Sequence, residues 1–132
     1  MRIQSAVVCE GAQIIGGKLY VLGAALATWM VAEYPAVATP VIAGVVEADA
    51  DIDAGDARFD IRVVTTDGRT LLEGRLDVTI TGGEVPGVPR VIPIVAPLQI
   101  PVQGPEHLDV TIATEAGIEI RIPLLIGAVS TV

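Results

Sequence analysis

The sequence predicts an all-β chain: one antiparallel sandwich or barrel of about eight or nine strands. Three observations predict it. Val, Ile and Thr supply 44 of the 132 residues, and these β-branched side chains pack best on a pleated surface. Apolar and polar residues alternate with a period of two through several long runs, which gives a strand one buried and one wet face. Gly- and Asp-containing turn signals interrupt these runs at short intervals. The length suits one domain, spanning residues 1–132, by the prior of about 100–200 residues each.

The elements follow in chain order. The first strand is expected over about Ile3–Ile14, ended by Gly16-Gly17, with Leu19–Leu22 returning after it. Leu19–Ala32 contains Gly23 and a mixture of Tyr, Val, Thr and Trp, so it reads as two strands or a bent one. Val41–Val46 is apolar throughout. Phe59, Ile61 and Val63 then alternate with Arg58, Asp60 and Arg62, and Leu76, Val78 and Ile80 alternate with Arg75, Asp77 and Thr79. Asp67-Gly68 lies between these two runs and is a strong hairpin signal. Residues 82–89 read as a loop. Pro93, Pro97 and Pro101 share one parity within Val91–Val102, while Ile92, Ile94, Ala96, Leu98, Ile100 and Val102 take the other. Proline cannot donate to a sheet ladder, so this segment is expected at an edge with its prolines facing out. Leu108, Val110 and Ile112 alternate again, and a turn at Ala116-Gly117 leads into Ile118, Ile120 and Ile122. The expected core is Ile3, Val7, Leu22, Trp29, Phe59, Ile61, Val63, Leu76, Val78, Val110, Ile112, Ile120 and Ile122.

Composition excludes several functions. Apolar residues are 52% of the chain and charged residues 18%, which is too apolar for intrinsic disorder. The net charge of −8 repels phosphate backbones and anionic lipid, so neither nucleic acid nor a membrane is an expected partner. The longest uncharged runs, Leu19–Ala32, Tyr34–Val46 and Val91–Pro105, fall short of the roughly 18–20 residues of a spanning helix. A single cysteine, Cys9, forms no intrachain disulfide. The N-terminus lacks the charged start and apolar stretch of a signal peptide, so a cytoplasmic location is expected.

The acidic stretch Asp49–Asp60 holds the candidate metal ligands Asp49, Asp51, Asp53, Asp56 and Asp60. Carboxylates at its first, third, fifth and twelfth places echo a calcium loop. The sixth place needs glycine and has Ala54, and the twelfth needs glutamate and has Asp60. The plainer reading is a solvated acidic loop between strands. Cys9 and His107 are the one soft nucleophile and base, but Cys9 sits in an apolar strand and His107 at an exposed strand start. One His and one Cys cannot make the usual zinc sites. No Gly-x-Ser-x-Gly segment and no phosphate-cradling glycine loop is present. The chain is therefore not expected to be an enzyme, and it carries no resident cofactor by this reading beyond the calcium alternative.

Ile3-Gln4-Ser5-Ala6-Val7-Val8-Cys9-Glu10, Leu19–Ala24 and Trp29, with a strand opened by Gly104-Pro105 and a last strand ending near Leu125, resemble a group of small bacterial proteins catalogued only as a domain of unknown function. The resemblance implies a compact immunoglobulin-like β-sandwich and carries over no catalytic residues. Ala6–Cys9, Leu19–Ala32 and Val41–Val46 are apolar on both parities, and a strand apolar on both faces must be covered on both. With no helix expected, the cover is assigned to another copy or a partner protein. The expected function is a non-enzymatic, self-associating interaction or assembly module. The alternative is a small-ligand or calcium-binding sandwich.

Overall fold

The computed structural model describes residues 1–24, 27–48, 55–80, 88–117 and 119–129. Among them are twelve strands and no helix. The run read as one strand, Ile3–Ile14, is two, β1 (Arg2–Cys9) and β2 (Gly11–Ile15); β3 (Lys18–Leu22) closes a hairpin on β2. Gly16 and Gly17 both have positive φ (57° and 74°), as a two-residue turn with the twist of its strands requires. Leu19–Ala32 is indeed split, into β3 and β4 (Thr28–Val31). Next come β5 (Ala36–Ala38) and β6 (Val41–Ala48). The hairpin of β7 (Gly55–Thr65) and β8 (Thr70–Ile80) turns at Asp67-Gly68. The proline-bearing run divides into β9 (Arg90–Pro97) and β10 (Ile100–Val102). The hairpin of β11 (Glu106–Thr114) and β12 (Glu119–Ala128) turns at Ala116-Gly117. The strands outnumber the sequence expectation because two long runs divide and because β5, at three residues, is too short to show a period.

Four sheets result. The largest has the order β4-β12-β11-β7-β8, and a second has β1-β6-β9. The pairs β10-β5 and β2-β3 complete the set. The expectation of a wholly antiparallel fold is corrected at one ladder. β12 pairs with β4 in parallel, from Leu125↔Thr28 to Ala128↔Val31. Parallel neighbours need a long connection, and seven strands, β5 to β11, lie between these two. The ladder is extended at its ends, where Leu125 N donates to Ala27 O and Val129 N to Val31 O, both at 2.9 Å.

β7 alternates cleanly, with Ala57, Phe59, Ile61, Val63 and Thr65 buried. β11 lies beside it in register, so Val110 faces Val63 and Ile112 faces Ile61. Ile3, Val8, Ile42, Val46, Ile94 and Ala96 from the three-stranded sheet join the same apolar cluster. The core expectation holds in full for Ile3, Phe59, Ile61, Val63, Val110 and Ile112. Trp29, Leu76, Val78, Ile120 and Ile122 are half-buried against it. Two assignments are corrected. The register of β1 shifts between Ile3 and Ser5, which inverts the parity of the strand, so Val8 and not Val7 joins Ile3 in the core. At that shift β6 carries Gly44, where a Cβ would lie 2.6 Å from Ser5 O. Leu22 is 70% exposed, because β3 leaves the core with the β2–β3 hairpin.

β9 is an edge strand, paired with β6 alone among the described residues. Ile94, Ala96, Leu98, Ile100 and Val102 are buried, whereas Pro97 and Pro101 are exposed and Pro93 is half-buried. Prolines of one parity lack their N–H on one side, the side away from β6.

Candidate interaction surface

Asp49, Asp51 and Asp53 lie outside the described residues. Asp56 and Asp60 stand on the outer face of β7, because the strand's alternation turns its polar residues away from the core. Each meets a residue of β8 in register. Thr79 donates its hydroxyl to Asp56 at 3.1 Å, and Arg75 reaches Asp60 at 3.9 Å. Arg58–Asp77 at 3.2 Å and Arg62–Glu73 at 3.3 Å extend the series. Facing charged residues on this surface are thus opposite in sign at every step, a cross-strand arrangement that fixes register more than it adds stability. Among the described residues, no three His, Cys, Asp or Glu side chains group as metal ligands.

Cys9 is fully buried and its thiol donates to Val41 O at 3.3 Å. Burial pushes the thiol's pKa up, against a smaller opposing effect from a backbone hydrogen bond with Gly11. A protonated, enclosed thiol is a poor nucleophile. His107 is exposed on β11, in register with Leu125 of β12. Neither residue has the setting of a catalytic pair.

The apolar strands flagged in the sequence divide into two kinds. β6 is covered on both faces within the chain: Ile42, Ala43, Val46 and Ala48 are all buried. β2 comes within packing distance of β6 and β9, and β3 of β9, so part of the cover expected from another copy comes from within the chain. The uncovered apolar surface is thereby moved outward, onto the β2–β3 hairpin itself. Ile14, Ile15, Tyr20, Val21 and Leu22 are its exposed large side chains, between 36% and 70% accessible. Because Ile14 and Ile15 are adjacent, both faces near the tip are apolar. A shallow depression of about 470 Å³ on the hairpin is lined by Gly11, Gln13, Tyr20 and Leu22, with Ala12 and Val21. The continuous run Leu19–Leu22 was the sequence signal for this surface, although it was assigned in part to the core.

A second cleft, of about 350 Å³, opens between the edges of the two large sheets. Ile61, Leu72, Gly74 and Leu76 line one side, and Val95–Gln99 the other. It is apolar and holds one charged side chain, Arg75. Sites that bind small polar ligands bring several polar groups together in a concavity, which neither depression does; a third, of about 590 Å³ on the outer face of β7 and β8, is lined by Asp60, Arg62, Glu73 and Arg75, whose charges are already paired with one another.

A family model described as a family of unknown function (DUF6941) matches residues 4–127. No curated protein and no solved structure matches the chain.

Proposed function

The chain belongs to a family of unknown function, DUF6941, and from its own geometry we propose that it is a non-enzymatic assembly module that associates with further copies of itself through the β2–β3 hairpin. One observation carries the reading: five large apolar side chains stand exposed on a hairpin that pairs with no other strand among the described residues. Scattered apolar residues on a surface are ordinary, but Ile15, Tyr20 and Leu22 share one face of the hairpin by its register, and a group of large apolar side chains on one face marks a contact. A two-stranded hairpin is marginal alone, so covering its free face would also stabilise it. Closed homo-oligomers are the commonest outcome of such contacts. We further propose that the three- and five-stranded sheets pack as an immunoglobulin-like sandwich, supported by the single apolar cluster to which both contribute.

The test is light scattering across micromolar concentrations, on the native chain and on an Ile15→Asp/Leu22→Asp variant. The native mass is expected to exceed one chain and to fall on dilution, and the variant to have a smaller mass than the native chain with an unchanged circular dichroism spectrum. A native chain that stays monomeric at every concentration overturns the proposal.

A further inference from the structure

Strand β8 has the features of a pairing edge that the other edges of the two large sheets lack. β9 carries Pro93 and Pro97, β4 is four residues long, and β1 keeps only Ser5–Cys9 in unbroken register after its shift. Each of these deters the addition of a strand. β8 is eleven residues long, contains no proline, pairs only with β7 among the described residues, and beyond its own register shift at Leu71 keeps Leu72–Ile80 unbroken. Its inward parity, Leu72, Gly74, Leu76, Val78 and Ile80, holds no charge that would oppose an added strand. The apolar cleft between the sheet edges opens beside Leu72, Gly74 and Leu76.

We propose that β8 pairs antiparallel with β8 of a second copy, about a two-fold axis at Leu76, and joins two five-stranded sheets into one. The occupant rests on the self-association reading above; the place rests on a different strand. The register follows from charge. Facing residues of an antiparallel pair share a sheet face, so a two-fold axis at one residue sets its flanking residues opposite each other. An axis at Arg75 sets Arg75 against itself and Glu73 against Asp77, which repels throughout. An axis at Asp77 sets that carboxylate against itself. An axis at Gly74 pairs Glu73 with Arg75 but leaves Asp77 opposite Leu71.

An axis at Leu76 satisfies both faces. Outside, Arg75 meets Asp77 of the second copy twice, and Glu73 meets Thr79. Inside, Leu76 meets Leu76, Leu72 meets Ile80, and Val78 falls opposite Gly74. A Cβ at Gly74 would meet nothing within 4 Å, so the space beside it is open to a neighbouring side chain. The alternation of sign already present within the chain then runs on across the seam. Asp60 and Arg75 of one copy continue into Asp77 and Arg58 of the other.

Single cysteines decide it. Gly74→Cys, Arg75→Cys, Leu76→Cys and Asp77→Cys are made one at a time and mildly oxidised; the native chain, whose buried Cys9 remains, is the blank. A disulfide needs its two Cβ atoms about 4 Å apart, which only the residue on the axis offers to its own copy. Leu76→Cys is expected to form a covalent dimer at least tenfold faster than the other three. Fastest dimer formation at another position, or none above the blank, overturns the proposal. Leu76→Arg, checked for native circular dichroism, is expected to lose the seam and halve the native mass; an unchanged mass also overturns it. The two association surfaces separate when Leu76→Cys is combined with Ile15→Asp/Leu22→Asp. Cross-linking that survives the hairpin changes supports the β8 seam alone. Mass that falls with the hairpin changes but not with Leu76→Arg supports the hairpin and removes the seam.

Discussion

Phe59 is the largest fully buried side chain, and its neighbours on the inner face of β7 are all buried with it. Truncation to alanine leaves a cavity that strands on both sides resist filling, so Phe59→Ala is expected to cost about 3–5 kcal/mol in urea unfolding. A loss well below 1 kcal/mol would contradict that burial. Phe59 was legible in the sequence because strict alternation over Arg58–Val63 leaves one choice of face. Val7 was not: a shift of register in β1 moves every later residue to the other face, and composition carries no mark of it. Asp67 gives a second residue-scale expectation. Its carboxyl is held below the usual Asp range, first by its hydrogen bond with the Thr65 hydroxyl and then by Arg69. Arg69 also reaches Glu106 at 2.8 Å, which ties the β7–β8 turn to β11. A depressed folded pKa adds stability above the unfolded value of about 4, and that stability is lost as pH falls through the folded value. The native melting temperature should therefore fall more steeply than that of Asp67→Asn between about pH 5 and pH 2. Parallel curves across that window would remove the assignment.

At the scale of elements, the sequence located hairpins and the proline strand, and missed partners. Asp67-Gly68 and Ala116-Gly117 turn where expected, because turn chemistry is local: Gly68 and Gly117 supply the positive φ of each turn. The parity of Pro93, Pro97 and Pro101 placed β9 at an edge because a missing N–H is a property of the residue itself. Pairing is not local. Nothing in Thr28–Val31 or Leu125–Ala128 announces that β4 and β12 lie parallel, since seven other strands separate them along the chain. The β2–β3 hairpin lies between these cases. Gly16-Gly17 marks its turn, but the pattern after it places Leu22 in the core, where the structure leaves it exposed. An apolar strand that covers the outside of a sheet has the same composition as one that fills the inside.

At the scale of the molecule, the choice between an assembly module and a cation-binding one turns on what balances a net charge of −8. Five aspartates within twelve residues suggest a cation when counted along the chain. In the fold, the two of them that are described are separated from that count: the outer face of β7 gives Asp56 to Thr79 and Asp60 to Arg75. A carboxylate already satisfied by a fixed neighbour must give up that interaction to bind calcium, and calcium needs six to eight oxygens, most often with several carboxylates among them. Glu73 and Asp77 of β8 likewise face Arg62 and Arg58 in register. A ligand that binds only the folded state raises the melting temperature by mass action. The melting curve of the native chain is therefore expected to coincide with and without millimolar calcium, and to be unmoved by excess chelator. A calcium-dependent rise that Asp56→Asn or Asp60→Asn abolishes would instead make the acidic stretch a cation site and move the function to the binding class.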